Sequence, residues 1–280
     1  MAKVSVLGLG NMGAAIAAAF VSAGHSVTGW NRTPKACEFP VVESVADAIS
    51  ASDLLVMVVL DAEVARTLLN DHDLQGRGVV NFTTGTRADA EITAADVRKR
   101  GGHYLQGIIP AYPAGIGLSE TALIYGGDPE LWDKHAPTLR ALGERSWCLG
   151  ESPAGPPALD QAVTMGFYHS AIGSFVEAAV HAHSQGVGIR DVVTLAKDMV
   201  RVLDESIDTI ADQIERDDFS TDQATIDVHE AAVALVVADM TIGTESRRSY
   251  LDVLLRDLHE AQADGRGEQS FAAMFPVLNR

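Results

Sequence analysis

Short apolar runs alternate with helix-length amphipathic segments through the first half of the chain. The runs that predict strands are Lys3–Gly8, His25–Trp30, Asp53–Val59, Gly78–Phe82, His103–Ile109, Thr121–Tyr125 and Arg145–Leu149. The segments that predict helices between them are Asn11–Ala23, Val45–Ala51, Ala62–Leu69, Ala88–Arg100 and Pro129–Leu142. Strands and helices in this order form βαβ units, with helices on both faces of a parallel sheet. We therefore expect residues 1–154 to form a doubly wound α/β domain with a mostly parallel sheet.

The second half of the chain has the periodicity of helices alone. The linker ESPAGPP at 151–157 leads into a long apolar helix that reaches about Gln185, with two prolines in its first turn. The next helix, Ile189 to about Glu215, carries an apolar stripe from Ala196 to Ile214 at spacings of three and four. Further helices are predicted at Thr225–Ile242, Ser246–Ala263 and Gln269–Phe275. The pattern indicates an interdomain helix at 155–185 and an all-α domain at 186–280.

These helices carry more apolar surface than a small core can bury. Besides the stripe from Ala196 to Ile214, the segment Ala231–Ala238 (AAVALVVA) is apolar on all sides. Association with a second copy buries such faces. We therefore expect a homodimer, held together by the C-terminal domain.

Composition and charge exclude several classes of protein. The net charge of −17 would repel a phosphate backbone, so nucleic acid is not expected as a partner. Apolar stretches are interrupted before they reach the roughly 20 residues that span a membrane. The apolar run in MAKVSVLGLG is shorter than a signal peptide requires, and the two cysteines, Cys37 and Cys148, suit a reducing compartment, so we expect a cytoplasmic protein. His181 and His183 face different ways on a helix, so no metal site is expected.

A glycine motif directly after the first strand indicates a dinucleotide site. GLGNMG at 8–13 places Gly8, Gly10 and Gly13 at the G-x-G-x-x-G spacing where a strand turns into a helix. These glycines allow a tight turn, close approach of a pyrophosphate and close packing of helix on strand. We expect the amides of Leu9, Gly10, Asn11 and Met12 to point at the phosphates. The motif predicts a Rossmann domain at 1–154.

The end of the second strand favours NADPH over NADH. An NAD site places an acidic residue there to bind the ribose 2′-hydroxyl, but the sequence WNRTPK at 30–35 has Asn31 at that position. Arg32 follows, with Thr33 and Lys35 close by, and a guanidinium matches the geometry of a 2′-phosphate. The alternative is that Arg32 is an ordinary solvated arginine.

Several longer stretches together resemble the imine reductase and reductive aminase family, within the β-hydroxyacid dehydrogenase superfamily. They are VLGLGNMG at 6–13, GWNRT at 29–33, NFTTGT at 81–86, YLQGIIPAYPAGIG at 104–117, LDQA at 159–162 with Tyr168 eight residues after Asp160, and QIERDDFSTDQAT at 213–225. The resemblance covers nearly the whole chain. It implies NADPH-dependent reduction of C=N bonds and an interlocked homodimer with each active site between two subunits.

The resemblance also implies roles for particular residues. Asp160 and Tyr168 would be catalytic. Besides the glycine turn and residues 31–35, the cofactor would contact Val59, Leu60, Asn81 and Thr83. The substrate would contact Thr84, Ala111, Tyr112 and Met240. Thr84 stands where reductive aminases have an amine-contacting asparagine, so imine reduction is a firmer expectation than reductive amination.

The charge of Asp160 distinguishes nitrogen chemistry from carbonyl chemistry. Hydroxyacid dehydrogenases of this architecture carry a lysine at the start of the interdomain helix, whereas this chain has Asp160. Negative charge builds on a carbonyl oxygen during reduction, so a carboxylate there is unfavourable. An iminium ion is cationic, and a carboxylate would hold it, while a protonated carboxyl would charge a neutral imine.

Other interpretations of these residues stay open. An acid in a first helical turn commonly complements the helix dipole, and Tyr168 would by itself be taken for a core residue. At the level of function, the alternatives are a β-hydroxyacid or small carbonyl reductase of the same superfamily and a non-catalytic NADP-binding dimer. The sequence leaves the physiological substrate, the enantioselectivity and the protonation state of Asp160 undetermined.

Overall fold

The chain folds into two compact units, each with its own hydrophobic core. The computed structural model describes residues 1–239 and 249–280. The units are Met1–Gly166 and Phe167–Arg280. Their boundary falls inside the segment 155–185 that the sequence predicts as an interdomain helix.

The first unit is built on one eight-stranded sheet with the order β3-β2-β1-β4-β5-β6-β7-β8. Its strands are β1 (Lys3–Leu7), β2 (Ser26–Trp30), β3 (Val41–Val42), β4 (Leu54–Met57), β5 (Gly78–Asn81), β6 (His103–Ile108), β7 (Ile124–Gly127) and β8 (Trp147–Cys148). Strands β6 and β7 pair antiparallel, and the other neighbouring pairs are parallel. This confirms the predicted α/β fold with a mostly parallel sheet.

Helices cover both faces of the sheet. They are α1 (Asn11–Ser22), α2 (Val45–Ala51), α3 (Ala62–Leu69), α4 (Arg87–Lys99), α5 (Pro129–Leu139) and α6 (Gly155–Leu159). One core packs α1 and α5 against the sheet through Phe20 and Leu139, and the other packs α2, α3 and α4 through Ile49, Leu69 and Val97. Apolar side chains of the strands therefore pack against helices on both faces of the sheet, as expected for strands that are apolar at nearly every position.

Strand β7 lies further along the chain than the predicted run Thr121–Tyr125. Thr121 belongs to a turn instead, where its hydroxyl donates to the Gly115 carbonyl at 2.5 Å. The strand continues through Gly127, whose φ of +140° and close approach to the Tyr104 carbonyl (2.3 Å from an added Cβ) exclude any side chain. The two-residue strand β3 was not predicted.

The predicted helix over 155–185 is helical throughout but not uniform. After α6, residues Asp160–Tyr168 form a π-helix, and α7 (His169–Ser184) then continues as an α-helix. A π-helix pairs each amide with the carbonyl five residues back, so its turns are wider. A pattern of apolar residues over nine positions does not distinguish a π-helix from an α-helix, so the sequence predicted a uniform α-helix here.

The second unit is all-helical. Its helices are α7, α8 (Ile189–Arg216), α9 (Ile226–Asp239), α10 (Tyr250–Ala263) and α11 (Phe275–Leu278), with a 3₁₀ turn at Phe271–Met274. Its core gathers around Phe219, Ile226 and Leu258. The predicted helix ends at Ile242 and Ser246 lie outside the described residues.

Long helix α8 leaves its apolar side chains exposed within the single chain. Leu195 and Val200 are each 62% exposed, and Leu235 on α9 is 73% exposed. Among the described residues, no helix is both long enough and apolar enough to cross a membrane.

Candidate active site

A cavity of about 270 Å³ lies at the carboxyl edge of the sheet in the first unit. Parallel strands end at a common edge, so the residues that follow β4, β5 and β6 meet there, beside the helical segment that contains Asp160. The lining residues are Met12, Val58, Val59, Phe82, Thr83, Thr84, Gly85, Gln106, Gly107, Ile108, Ile109, Pro157, Asp160, Thr164 and Met165.

Asp160 is the one ionisable side chain among the described residues that line this cavity. It is half-buried at the first position of the π-helix. Apolar side chains such as Val58, Phe82 and Ile108 make up much of the wall, and the remaining side chains are neutral. A carboxyl group in these surroundings favours a cationic or proton-accepting partner.

The glycine turn after β1 has the geometry of a phosphate cradle. Gly8 has φ +98°, a conformation that favours glycine, and a Cβ on Gly13 would lie 1.9 Å from the Gly8 carbonyl oxygen. A Cβ on Gly10 would meet nothing within 4 Å. The first intrahelical bond of α1 runs from the Ala14 amide to the Gly10 carbonyl, so the amides of Asn11 and Met12 precede it and face outward at the helix N-terminus.

We expected the Leu9 amide to point at a phosphate, but in the structure it has a partner within the protein. It donates to the Asn31 side-chain oxygen at 2.9 Å, while Lys35 Nζ donates to the Leu9 carbonyl at 2.6 Å. Asn31 also donates to the Thr33 carbonyl at 2.8 Å. Asn31 and Lys35 therefore brace the glycine turn against the loop after β2.

Arg32 is exposed beside this turn and forms no ion pair with any carboxylate in the part of the chain described. Thr33 is exposed as well. Both side chains are accessible to a ligand that reaches the end of β2.

The loop after β5 is held by hydrogen bonds at its start. Thr83 is 3% exposed, its Oγ1 accepts from the Val59 amide at 3.3 Å, and its amide donates to Asn81 Oδ1 at 3.0 Å. Asn81 lies beneath the cavity, 2% exposed, and is not among its lining residues. The structure thus places Asn81 as a support for Thr83, and its predicted direct contact with cofactor stays a prediction.

The same loop ends in a capping box at the start of α4. Thr86 Oγ1 accepts from the Asp89 amide at 3.1 Å, and Asp89 accepts from the Thr86 amide at 3.0 Å. The Thr86 hydroxyl also donates to Asp89 Oδ2 at 2.7 Å. This bond, the bond from the Thr86 amide and the Arg66 guanidinium at 3.1 Å hold the pKa of Asp89 below its usual value. The segment Thr83–Thr86, which carries cavity-lining residues, is therefore fixed at both ends.

Other predicted site residues lie outside this cavity. Leu60 is 83% exposed, Tyr112 is 75% exposed and Ala111 is half-buried, and none of the three lines it. Tyr168 belongs to the second unit, where its ring meets His169 edge to face at 5.4 Å. Met240 lies outside the described residues. No cluster of three metal-ligating side chains occurs among the residues described.

Ten of the fifteen lining residues were not among the predicted site residues, and three of these ten could have been found from the sequence. Gln106 is a polar residue within an apolar strand, on the same face as Tyr104, and that break in the pattern was an available signal. Thr164 and Met165 lie four and five residues after Asp160, which is one turn of a π-helix, so they share its face.

Two domain families together match nearly the whole chain. Residues 3–150 match the NAD-binding domain of 6-phosphogluconate dehydrogenase, and residues 153–280 match the C-terminal domain of NADPH-dependent reductive aminase-like proteins. The junction between the two matches falls within the Pro- and Gly-rich linker that precedes α6.

Individual relatives match over nearly their full length. An NADPH-dependent reductive aminase of Aspergillus oryzae is 27% identical over 97% of this chain and 95% of its own. The structure of an imine reductase from a Pseudomonas species is 32% identical and superimposes with a TM-score of 0.89 over 99% of both chains. An imine reductase of Myxococcus stipitatus in complex with NADP⁺ is 26% identical, with a TM-score of 0.88 over 99% of both chains.

Substitutions in the glycine turn should separate folding from ligand binding. Gly13→Ala places a methyl group 1.9 Å from the Gly8 carbonyl oxygen, so we expect it to cost about 1–3 kcal/mol of stability. Gly10→Ala meets open space, and Gly10 has a φ of −62° that alanine adopts, so its melting temperature should stay close to that of the parent. The methyl of Gly10→Ala would instead obstruct a pyrophosphate and weaken NADPH binding at least about tenfold. Thermal melts and NADPH titrations of both variants check this, and tight NADPH binding by Gly10→Ala would contradict it.

Proposed function

We propose that this chain, which belongs to the imine reductase and reductive aminase family, catalyses the NADPH-dependent reduction of imines and iminium ions to amines. The observation that carries the proposal is the carboxyl of Asp160, the one charged group among the described residues that line the cavity at the carboxyl edge of the sheet. The sign of that charge suits a cationic C=N group and opposes the build-up of negative charge on a carbonyl oxygen.

The residues at the sheet edge fit NADPH. The outward amides of Asn11 and Met12 and the open space at Gly10 suit the diphosphate, and exposed Arg32 suits the 2′-phosphate. Thr83 and Val59 line the cavity at the other end, where the nicotinamide would lie beside Asp160. When bound there, NADPH supplies the hydride.

Asp160 has two tasks in this scheme. Its carboxylate pairs with the cationic nitrogen of an iminium ion, which orients the C=N carbon toward the hydride donor. When the substrate arrives as a neutral imine, the carboxyl donates a proton to that nitrogen, and the resulting positive charge makes the carbon more electrophilic. Addition of the hydride to the carbon would form the new C–H bond and leave the former C=N π electron pair on the nitrogen as the lone pair of the amine.

The apolar wall selects the rest of the substrate. Phe82, Ile108 and Met165 present hydrocarbon surface to the cavity, whose volume of about 270 Å³ accommodates a small organic molecule. In the described part of the cavity no basic side chain is present to receive a substrate carboxylate. Apolar imines are therefore favoured over imino acids.

The protein should work as a homodimer with active sites between subunits. Support comes from the second unit, where Leu195, Val200 and Leu235 are 62–73% exposed in the single chain. Apolar faces of this extent on α8 and α9 are typical of an obligate interface. We propose that a second copy of the chain covers these faces.

Cofactor preference should depend on Arg32. Arg32→Ala removes the guanidinium that would bind the 2′-phosphate, so the KM for NADPH should rise about tenfold or more while the KM for NADH changes little. Arg98→Ala, which removes another exposed arginine at the far end of α4, is the matched control and should leave both values unchanged. Equal use of NADPH and NADH by the unmodified protein would overturn the assignment.

Turnover should depend on Asp160. Asp160→Asn retains the size of the side chain but removes its charge and ionisable proton, so kcat/KM for a cyclic imine should fall by about 10²–10⁴-fold while NADPH affinity is retained. Asp53→Asn, at the amino edge of the sheet, is the matched control. Tyr168→Phe, measured in parallel, tests the predicted catalytic role of that phenol.

Thermal stability of the same variant distinguishes catalysis from a helix-dipole effect. An acid that only complements a helix dipole stabilises the fold by roughly 0.3–1 kcal/mol and does not affect turnover. Unchanged kcat/KM with a lower melting temperature in Asp160→Asn would remove Asp160 from the mechanism.

The second unit should fold stably only when two chains associate. Because α8 and α9 expose large apolar side chains in the single chain, we expect a dimer at micromolar concentration. Val200→Glu, which introduces charge on the exposed face of α8, should dissociate or destabilise it, whereas Lys197→Glu on the same helix should not. Light scattering that shows a folded monomer of the unmodified chain would contradict the proposal.

A further inference from the structure

A ring of buried polar side chains reaches the cavity through Gln106, and its other two members, Asn81 and Tyr104, do not line the cavity. Asn81 at the end of β5 faces Gln106 on β6, and Tyr104 stands two residues earlier on the same strand. The three side chains are 1–3% exposed. The Tyr104 hydroxyl donates to Gln106 Oε1 at 2.5 Å and accepts from Asn81 Nδ2 at 3.1 Å.

The ring holds Thr83 at both of its backbone polar groups. Asn81 Oδ1 accepts from the Thr83 amide at 3.0 Å, and Gln106 Nε2 donates to the Thr83 carbonyl at 3.4 Å. Gln106 Nε2 also donates to the Gly107 carbonyl at 3.2 Å. Since the Val59 amide donates to Thr83 Oγ1, the ring connects the loops that follow β4 and β5 with strand β6.

The Tyr104 hydroxyl is the fixed donor of this ring. Burial raises the pKa of Tyr104 far above its usual value, with hydrogen bonds from Asn81 and Thr93 acting in the opposite direction, so the hydroxyl stays protonated. A buried polar ring with every member paired is rigid, whereas loss of one member leaves its neighbours unsatisfied. The Gln106 amide oxygen accepts from Tyr104 and its nitrogen donates to backbone carbonyls, so the orientation of the amide is determined.

We propose that Tyr104 and Gln106 are positioning residues for the reduction, because their ring fixes Thr83 where the nicotinamide end of NADPH must lie against Asp160. This inference rests on the proposed function for its reaction, and it concerns residues that neither contact the diphosphate nor carry the chemistry. If the ring only stabilised the fold, substitutions in it would lower the melting temperature but would not weaken binding of the nicotinamide end of the cofactor more than binding of the adenosine end.

The chain offers a matched control for Tyr104. Tyr125 on neighbouring strand β7 is also fully buried, and its hydroxyl has no hydrogen-bond partner among the described residues. Tyr125→Phe retains the edge-to-face contact of its ring with Phe82 and removes an unpaired hydroxyl. Tyr104→Phe makes the same chemical change but opens the polar ring.

The first test compares NADPH with adenosine 2′,5′-bisphosphate, which lacks the nicotinamide. In calorimetric titrations, Tyr104→Phe should weaken NADPH binding about tenfold and leave bisphosphate binding unchanged, whereas Tyr125→Phe should change neither. With a cyclic imine, Tyr104→Phe should lower kcat more than it raises the imine KM. Equal behaviour of the two variants, or equal weakening of both ligands, would overturn the proposal.

The second test uses pH. In Gln106→Glu the new carboxyl, when neutral, can donate to the Thr83 or Gly107 carbonyl as the amide does, but its ionised form cannot. Burial raises the pKa of such a carboxyl, so activity should fall as pH rises through that pKa, an extra limb that the parent protein lacks. Gln106→Met, which cannot donate at any pH, should be impaired at every pH without that limb. A Gln106→Glu profile parallel to the parent's would contradict the proposal.

The two tests separate this inference from the proposed function. Absence of imine reduction by the parent protein would refute the proposed function, and the ligand comparison would still decide whether the ring positions the nicotinamide end. Imine reduction by the parent with indistinguishable tyrosine variants would refute the inference alone.

Discussion

The parallel pairing of four neighbouring strands brings their carboxyl ends to the same edge of the sheet, and the register aligns residues of all four strands in one row. Leu7 pairs with Met57, Met57 with Asn81, and Asn81 with Gln106, so one row crosses four strands. Residues of β4, β5 and β6 at or just beyond this row, such as Val58, Phe82 and Gln106, then line the same cavity. The glycine turn, the support of Thr83 and the floor of the cavity all follow from this row.

Close backbone packing makes this edge rigid. The Gly8 carbonyl lies where a side chain on Gly13 would be, and a side chain on Gly8 would strike the Val58 carbonyl. Helix α1 is therefore pressed onto β1 at the point where its free amides face outward. A rigid cradle at one end of the edge and a rigid clamp on Thr83 at the other suit an extended ligand that must present one reactive atom.

Charge then determines which reaction the edge supports. The other described side chains that line the cavity are apolar or neutral, so in the proposed reaction Asp160 dominates the field at the reacting atoms. The same scaffold with a cation at this position would favour an oxyanion, as carbonyl reduction requires. One side chain on a helix thus changes the reaction without any change in the sheet, which is why fold alone does not establish function.

The features that depend on local spacing were predictable from the sequence. The glycine motif, the missing acid at Asn31 and the carboxylate at Asp160 each follow from a short stretch of residues, and the alternation of strand and helix predicted the fold. The polar ring was not predictable, because it depends on β5 and β6 pairing in one particular register. The role of Asn31 as acceptor for the Leu9 amide, and the π-helix at Asp160, likewise depend on tertiary geometry that periodicity does not encode.

A structure of the protein with NADP⁺ and an amine product would show whether Asp160 binds the nitrogen of the substrate, as we propose. The measured quantity is the distance from the amine nitrogen to the Asp160 carboxylate oxygens. We expect a charge-assisted hydrogen bond of about 2.7–3.2 Å, with the carbon next to the nitrogen facing the nicotinamide. An amine nitrogen held by another group, with the Asp160 carboxylate turned away from it, would exclude this role of Asp160.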